Sequence, residues 1–227
     1  MLKDWDKLPK YMQNDAVRPY YDELMKKQGA LKVKRAFDFI MALIMLIILA
    51  PVLVIIAILI VKDSEGGVFY RQERITQYGR KFRIFKFRTM VADADKKGSL
   101  VTTGGDARIT KIGAKLRGCR LDELPQLINI LLGDMSFVGT RPEVTKYVKR
   151  YTPEMMATLL LPAGVTSECS IKYKDEDRLL SAADDVDEVY VNQVLPGKME
   201  YNLEAIKKFS NANDLKTMVK TVFAVLK

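Results

Sequence analysis

The pattern of apolar and polar positions changes character several times along the 227-residue chain. Residues 1–35 mix charges with Pro9, Pro19 and Gly29, and only Tyr20 to Gln28 reads there as a short helix, so the segment is expected to be a cytosolic or interfacial leader. From Ile40 to Val61 the chain is apolar for 22 uninterrupted residues. As a helix this run measures about 33 Å at 1.5 Å per residue, enough to reach across a bilayer. From Val68 apolar and basic residues interleave, with Phe82, Ile84, Phe85, Phe87 and Met90 set among Lys81, Arg83, Lys86 and Arg88. Tyr78-Gly79 marks a turn between two such runs, which predicts a short β-hairpin. Ala92 to Gly105 is polar and glycine-containing, a surface loop of the kind that serves as a lid. Ile109 to Leu116 predicts a short helix, and Leu124 to Leu132 a second, with Pro125 in its first turn and Gly133 as its C-cap. Two later stretches, Tyr147 to Leu161 and Leu215 to Leu226, carry apolar residues at helical spacing and suit either a core or a membrane interface.

The long apolar run is no cleaved signal peptide, since it starts late, is too long and lacks a small-residue cleavage site. Pro51 in its middle removes a hydrogen bond to the carbonyl of Ile47 and predicts a bend. Nine Lys and Arg precede the run and eight follow between Lys62 and Arg88, so both ends favour the cytoplasm. A re-entrant hairpin that enters and leaves by one leaflet satisfies both ends better than a single span.

Composition then narrows the chemistry. Hydrophobic residues at 48% and charged residues at 29% are ordinary globular proportions. The chain has no histidine, which removes His-based acid–base work, Ser-His and Cys-His nucleophile pairs and the usual zinc sites. Cys119 and Cys169 are too few for a disulfide framework and read as small buried residues. The net charge of +9 attracts anions, whether headgroups, nucleotides, phosphates or nucleic acid.

The densest stretch is Leu116 to Glu143. Asp122 and Glu123 are placed at a helix N-terminus, where carboxylates are favoured and a phosphate can be received. A capping Asp with a first-turn Glu is common, but here Arg117 and Arg120 lie upstream, and Gly139-Thr140-Arg141-Pro142 offers a turn ending in an Arg whose planar fork suits phosphate oxygens. Adjacent carboxylates can hold Mg²⁺, and with the cations they describe a site for a metal-bound pyrophosphate.

Lys34-Arg35 with Asp38, Gln72-Glu73-Arg74, Lys86-Phe87-Arg88, Asp122-Glu123-Leu124-Pro125-Gln126, Gly133-Asp134-Met135-Ser136 and the Arg141-Pro142 pair, in this order around an apolar run with a central proline, strongly resemble the bacterial sugar transferases. These are the small monotopic polyprenyl-phosphate phosphoglycosyl transferases, and the match covers about residues 30–165. The chain departs from the family pattern at Thr140, at Cys119-Arg120, and in the stretch PAGVTSECS after Leu161.

The resemblance implies transfer of a sugar-1-phosphate from a UDP-sugar to undecaprenyl phosphate with release of UMP. It makes Asp122 the covalent nucleophile, Glu123 its partner in holding Mg²⁺ or managing a proton, and Asp122 and Glu123 together the metal ligands. Arg117, Arg141, Lys86 and Arg88 are the candidates for holding phosphate oxygens, and Lys34, Arg35, Asp38 and Pro51 belong to the membrane hairpin. The expected architecture is α+β and mostly helical: a leader (1–35), a re-entrant membrane helix (36–62), a small cytosolic α/β catalytic core (63–165) with interfacial amphipathic helices, and a C-terminal region (166–227) that covers the site or contacts the sugar. The implied location is the cytoplasmic face of a bacterial inner membrane. The implied partners are membrane lipids and downstream glycosyltransferases, with no nucleic acid. Two other readings of the residues stay open. A membrane-anchored basic binding module would tolerate Asp122→Asn, and a Mg²⁺-dependent phosphohydrolase would turn over without a lipid acceptor.

Overall fold

A computed structural model describes residues 2–94, 106–173 and 185–226 of the chain. The loop expected at Ala92 to Gly105 falls mostly outside them. After two single 3₁₀ turns, α1 (Arg18–Lys26) starts where Asn14 Oδ1 accepts from the amides of Ala16 and Val17 at 3.0 and 3.1 Å. Leu8, Met12, Val17, Tyr20, Tyr21 and Leu24 from this region are buried together with Tyr147, Tyr151, Leu159, Leu160, Tyr190, Leu195, Met199 and Phe209. The residues expected as a leader therefore make up much of the main core. Tyr147 to Leu161 is core as well, and only two short pieces of it are helical.

Helix α2 (Gln28–Asp63) runs unbroken for 36 residues with Pro51 inside it. It has two faces. Ala42, Met45, Leu46, Leu49, Leu53, Ile56, Ala57 and Ile60, three or four residues apart, pack against the protein on both sides of Pro51. Ile44, Ile47, Ile48, Val52, Val54, Ile55, Ile58 and Val61 are exposed, the first turns of a continuous apolar surface. By length and composition this helix can cross a membrane.

The predicted hairpin is present. β1 (Phe69–Ile75) pairs antiparallel with β2 (Lys81–Phe87), and the turn is closed by Tyr78 at φ 59° and Gly79 at φ 73°. Phe82 and Ile84 on one face of β2 meet α2 and α4, whereas Lys81 and Arg83 alternate to the other side and Lys86 shares the face of Phe82 and Ile84. Helix α3 (Lys111–Gly118) follows, capped by Thr110, whose Oγ1 accepts from Gly113 N at 3.0 Å, and by Asp63 from the end of α2, which accepts from Ile112 N at 2.9 Å. Helix α4 (Gln126–Leu132) ends at Gly133 with φ 82°, as its sequence predicts.

β3 (Met135–Val138) pairs parallel with β4 (Ala163–Thr166). The backbones of Gly139 and Gly164 approach so closely that a Cβ on Gly164 would sit 2.1 Å from Gly139 N. Short helices α5 (Thr145–Val148), α6 (Glu168–Lys172) and α7 (Val186–Val189) lead to a π-helical turn at Tyr190–Val194 and then α8 (Leu195–Lys207), which closes the main core. Helix α9 (Asn211–Leu226) lies against α2, β3 and β4 with Thr217 buried, and leaves Leu215, Val219, Val222 and Phe223 exposed. The architecture is α+β and mostly helical, with two small sheets.

Candidate active site

Between α3 and α4 the chain turns at Arg120, held in the left-handed region at φ 55°, into a 3₁₀ turn Leu121–Glu123. That turn presents both acidic side chains. Neither of them caps α4, contrary to the placement read from sequence: Pro125 occupies the N-cap position and no side chain caps the helix there. The Asp122 carboxyl meets its own backbone amide, and that of Glu123 faces side chains of other elements.

Glu123 Oε1 accepts from Lys86 Nζ at 2.9 Å and from Arg141 at 2.9 Å. Burial pushes its carboxyl up, but the charges of Arg141 and Lys86 outweigh this and hold it well below the usual carboxylate range. Asp122 is 8% exposed and accepts no hydrogen bond from another residue among the described ones. Burial pushes its carboxyl up, Lys86 pulls it down, and Glu123 adds to the rise, leaving it above the ordinary aspartate range. One carboxylate of the pair is clamped and charged; the other is buried, unclamped and harder to ionise.

Of the four expected phosphate-holding cations the structure brings Lys86 and Arg141 to the pair directly. Arg117 lies near Asp122 and donates from Nε to Thr89 Oγ1 at 2.9 Å. Arg88 goes elsewhere. Its guanidinium is buried and donates to the carbonyls of Glu65 and of Ser64, the latter at 2.6 Å, so it closes the C-terminal end of α2. The alternation along β2 sends Lys86 and Arg88 to the same face, but Arg88 meets the loop at Gly66 first.

Lys34, Arg35 and Asp38 are interior anchors of α2. Asp38, 3% exposed, accepts from Ser136 Oγ at 2.8 Å and from Phe137 N at 3.3 Å. Lys34 lies 3.9 Å from Asp38 and 2.5 Å from Asp214 of α9. Arg35 donates to the carbonyls of Ile130 and Leu131 at 2.6 and 2.9 Å, satisfying the last turn of α4. Pro51 lies on the exposed side of α2.

Several residues that matter here carry no site role in the expectations from sequence, although Arg74 stands in one of the motifs. Asn129, fully buried, bonds both Phe85 N and the carbonyl of Arg83, which ties α4 to the strand carrying Lys86. Arg74 donates to the carbonyl of Pro142 at 3.1 Å, next to Arg141. Glu143 is buried against Tyr190 and Lys198. A buried Asn in an otherwise apolar helix was the one signal available; the others join residues too far apart in sequence to be paired by spacing.

The donor set fits a metal ion that arrives with a diphosphate better than a resident one. Among the described residues no group of three or more His, Cys, Asp or Glu side chains could hold an ion. Mg²⁺ needs only one or two carboxylates when substrate phosphates and water complete its shell, and Asp122, with Glu123 beside it, can supply them. Lys86, Arg117 and Arg141 against two carboxylates leave the cluster net positive, suited to a polyanionic ligand.

An acidic pair set among cations, next to Leu121 on the second half of an apolar helix with one face uncovered, suits a phosphate-bearing ligand. The chain belongs to the bacterial sugar transferase family, whose profile it matches over residues 29–227. It is 32% identical over 216 residues to the UDP-glucose:undecaprenyl-phosphate glucose-1-phosphate transferase of Escherichia coli, covering 93% of this chain and 44% of that protein. It is 32% identical over 197 residues to the UDP-N-acetylgalactosamine-undecaprenyl-phosphate N-acetylgalactosaminephosphotransferase of Aeromonas hydrophila, covering 86% and 44%. A UDP-glucose:undecaprenyl-phosphate glucose-1-phosphate transferase of Caulobacter vibrioides is 32% identical over 196 residues, covering 85% and 69%. The chain thus spans less than half the length of two of these relatives.

Proposed function

We propose that this protein transfers a sugar-1-phosphate from a UDP-sugar to a polyprenyl phosphate such as undecaprenyl phosphate, with Asp122 as the nucleophile. The observation that carries the reading is the division of labour in the acidic pair: Glu123 is held by Lys86 and Arg141, while Asp122 keeps a carboxylate bound by no neighbour among the described residues. An Asp122 oxygen attacks the sugar-proximal phosphorus, the phosphoanhydride bond breaks and UMP leaves. An oxygen of the polyprenyl phosphate then attacks the same phosphorus, the aspartyl–phosphorus bond breaks and the carboxylate is restored. Each step exchanges one P–O bond for another. Lys86, Arg117 and Arg141 hold phosphate oxygens, a positioning and electrostatic task that dominates phosphoryl transfer. Glu123, held ionised, anchors two of these cations and does not carry a proton. Mg²⁺, when bound by Asp122 and Glu123 with the diphosphate, would neutralise charge on the leaving group.

The relatives named for UDP-glucose and UDP-N-acetylgalactosamine support the reaction class and leave the sugar open. The same reading places the chain on the cytoplasmic face of the inner membrane with α2 in one leaflet and both its ends on one side. Contacts with the body continue along α2 from Ala42 to Ile60, so no stretch as long as the roughly 20 residues of a span stands clear of it. The exposed face of α9 adds a second apolar surface for the interface, with Lys216 beside it to meet headgroups.

The test is a panel of UDP-sugars with Mg²⁺ and undecaprenyl phosphate, scored by UMP release. Wild-type protein should turn over one of them and require the lipid, and Asp122→Asn should be slower by several orders of magnitude. Without lipid, the wild type should gain the mass of one sugar phosphate on the peptide carrying Asp122. Full activity of Asp122→Asn would overturn the assignment.

A further inference from the structure

Arg141 holds Glu123 from a stretch, residues 141–144, that belongs to no helix or strand. Three contacts fix this stretch. Arg74 donates to the carbonyl of Pro142 at 3.1 Å, Ile75 N donates to the carbonyl of Glu143 at 3.0 Å, and the third is the buried side chain of Glu143 itself. Glu143 Oε1 accepts from Tyr190 Oη at 2.5 Å and lies 3.6 Å from Lys198 Nζ, which donates to the same hydroxyl at 3.0 Å. All three side chains are at least nine-tenths buried. A carboxylate and an ammonium at that depth depend on each other and on the hydroxyl between them.

The backbone gives an independent sign. Tyr190 opens the π-helical turn Tyr190–Val194, a rare geometry that is frequent at functional sites. Pro196, just after it, has no N–H to continue an α-helical ladder back into this turn. Tyr190 and Val194, at the two ends of this turn, are both buried, and the Tyr190 hydroxyl lies on Glu143.

We propose that Tyr190 and Lys198 are positioning residues for Arg141, fixing through Glu143 the backbone that aims its guanidinium at Glu123 and the anionic substrate. The proposal rests on the phosphotransfer reading given above. On it, the C-terminal region acts on the site from behind, through the scaffold.

Two measurements on the full chain in lipid nanodiscs test it, using Tyr190→Phe, which keeps the ring that packs on Tyr147 at 4.5 Å, and Lys198→Met. The first is amide hydrogen exchange, which needs no turnover. Peptides covering Ile75 and residues 141–147 should exchange about tenfold faster in both variants, with other core peptides within about twofold of wild type. Unchanged exchange there, or an equal rise throughout the core, would mean that the buried cluster merely stabilises the fold. The second is a double-mutant cycle on UMP release. Tyr190→Phe should lower kcat about tenfold in the wild-type background and less than about twofold in Arg141→Lys, because residues acting through one another are not additive. Losses that multiply would overturn the proposal. Should wild type and Asp122→Asn release UMP equally, the phosphotransfer reading fails on that result, and the exchange pattern still decides whether the cluster positions residues 141–147.

Discussion

Asp122 and Glu123 are adjacent in sequence, yet burial and the placing of two cations move their carboxyls in opposite directions from the ordinary range. Since only ionised Asp122 can attack phosphorus, the acid limb of kcat/KM should lie above the pKa of a free aspartate. Lys86 pulls that carboxyl down, so Lys86→Met should move the limb to higher pH; a pH–rate profile with the limb unmoved would contradict the arrangement. The pair also has opposite effects on stability. Glu123, depressed in the fold, stabilises the protein above the pKa of an unfolded glutamate, and this is lost as pH falls through its native value. Asp122, raised in the fold, is destabilising once ionised, and that penalty fades as pH falls and it protonates. We therefore expect Asp122→Asn to melt at a higher temperature than wild type at pH 7 while losing turnover, the difference vanishing in acid. Glu123→Gln should melt lower and also lose turnover, leaving Lys86 and Arg141 without their shared anion at a loss on the order of 3 kcal/mol by chemical denaturation.

Helix α2 is joined to the body by side chains that belong to other elements' ends: Arg35 completes α4, Asp63 starts α3, and Lys34 and Asp38 reach α9 and β3. Lys34→Met would leave Asp38 and Asp214 facing each other in a buried place, with an expected loss of roughly 3–5 kcal/mol. Burial already pushes the Asp214 carboxyl up against the pull of Lys34, so adding Asp214→Asn to Lys34→Met should restore part of that loss in denaturant melts. The elements themselves were legible in the sequence wherever a local rule acts. The hairpin showed in its alternation, α4 in Pro125 and Gly133, and α2 in its unbroken apolar run. The acidic pair and two of its cations were legible because the motif sets them in a short space. What escaped depends on distance along the chain. Lys34 and Asp38 looked like charges beside a membrane because their partners, Asp214 and Ser136, lie far downstream. Arg88 looked like a second Lys86 because alternation gives a face and not an address. Tyr147 to Leu161 could not be divided between core and interface, since apolar spacing is the same for both.

At the scale of the whole molecule, the proposed function gives the exposed apolar faces of α2 and α9 the task of holding the protein at a membrane. An impermeant thiol reagent applied outside intact cells should label neither a Cys placed at Lys3 nor one at Lys227, whereas labelling of one end alone would make α2 a span. Val219→Glu with Phe223→Glu should weaken retention on anionic vesicles without disturbing the fold, because both side chains are exposed. The bond between Lys34 and Asp214 joins residues 180 positions apart. At about 5–20 residues per second a ribosome takes roughly 10–40 s to travel from one to the other. At the start of that interval α2 has emerged with its ammonium facing only Asp38 of its own helix and its inner stripe uncovered, while a bilayer can accept its outer face at once. We therefore expect attachment first, assembly of β2, α4 and β3 along the inner stripe second, and closure by α9 last. A ribosome arrested before residue 211 should carry a chain that already sediments with membranes but lacks the final clasp on its anchor.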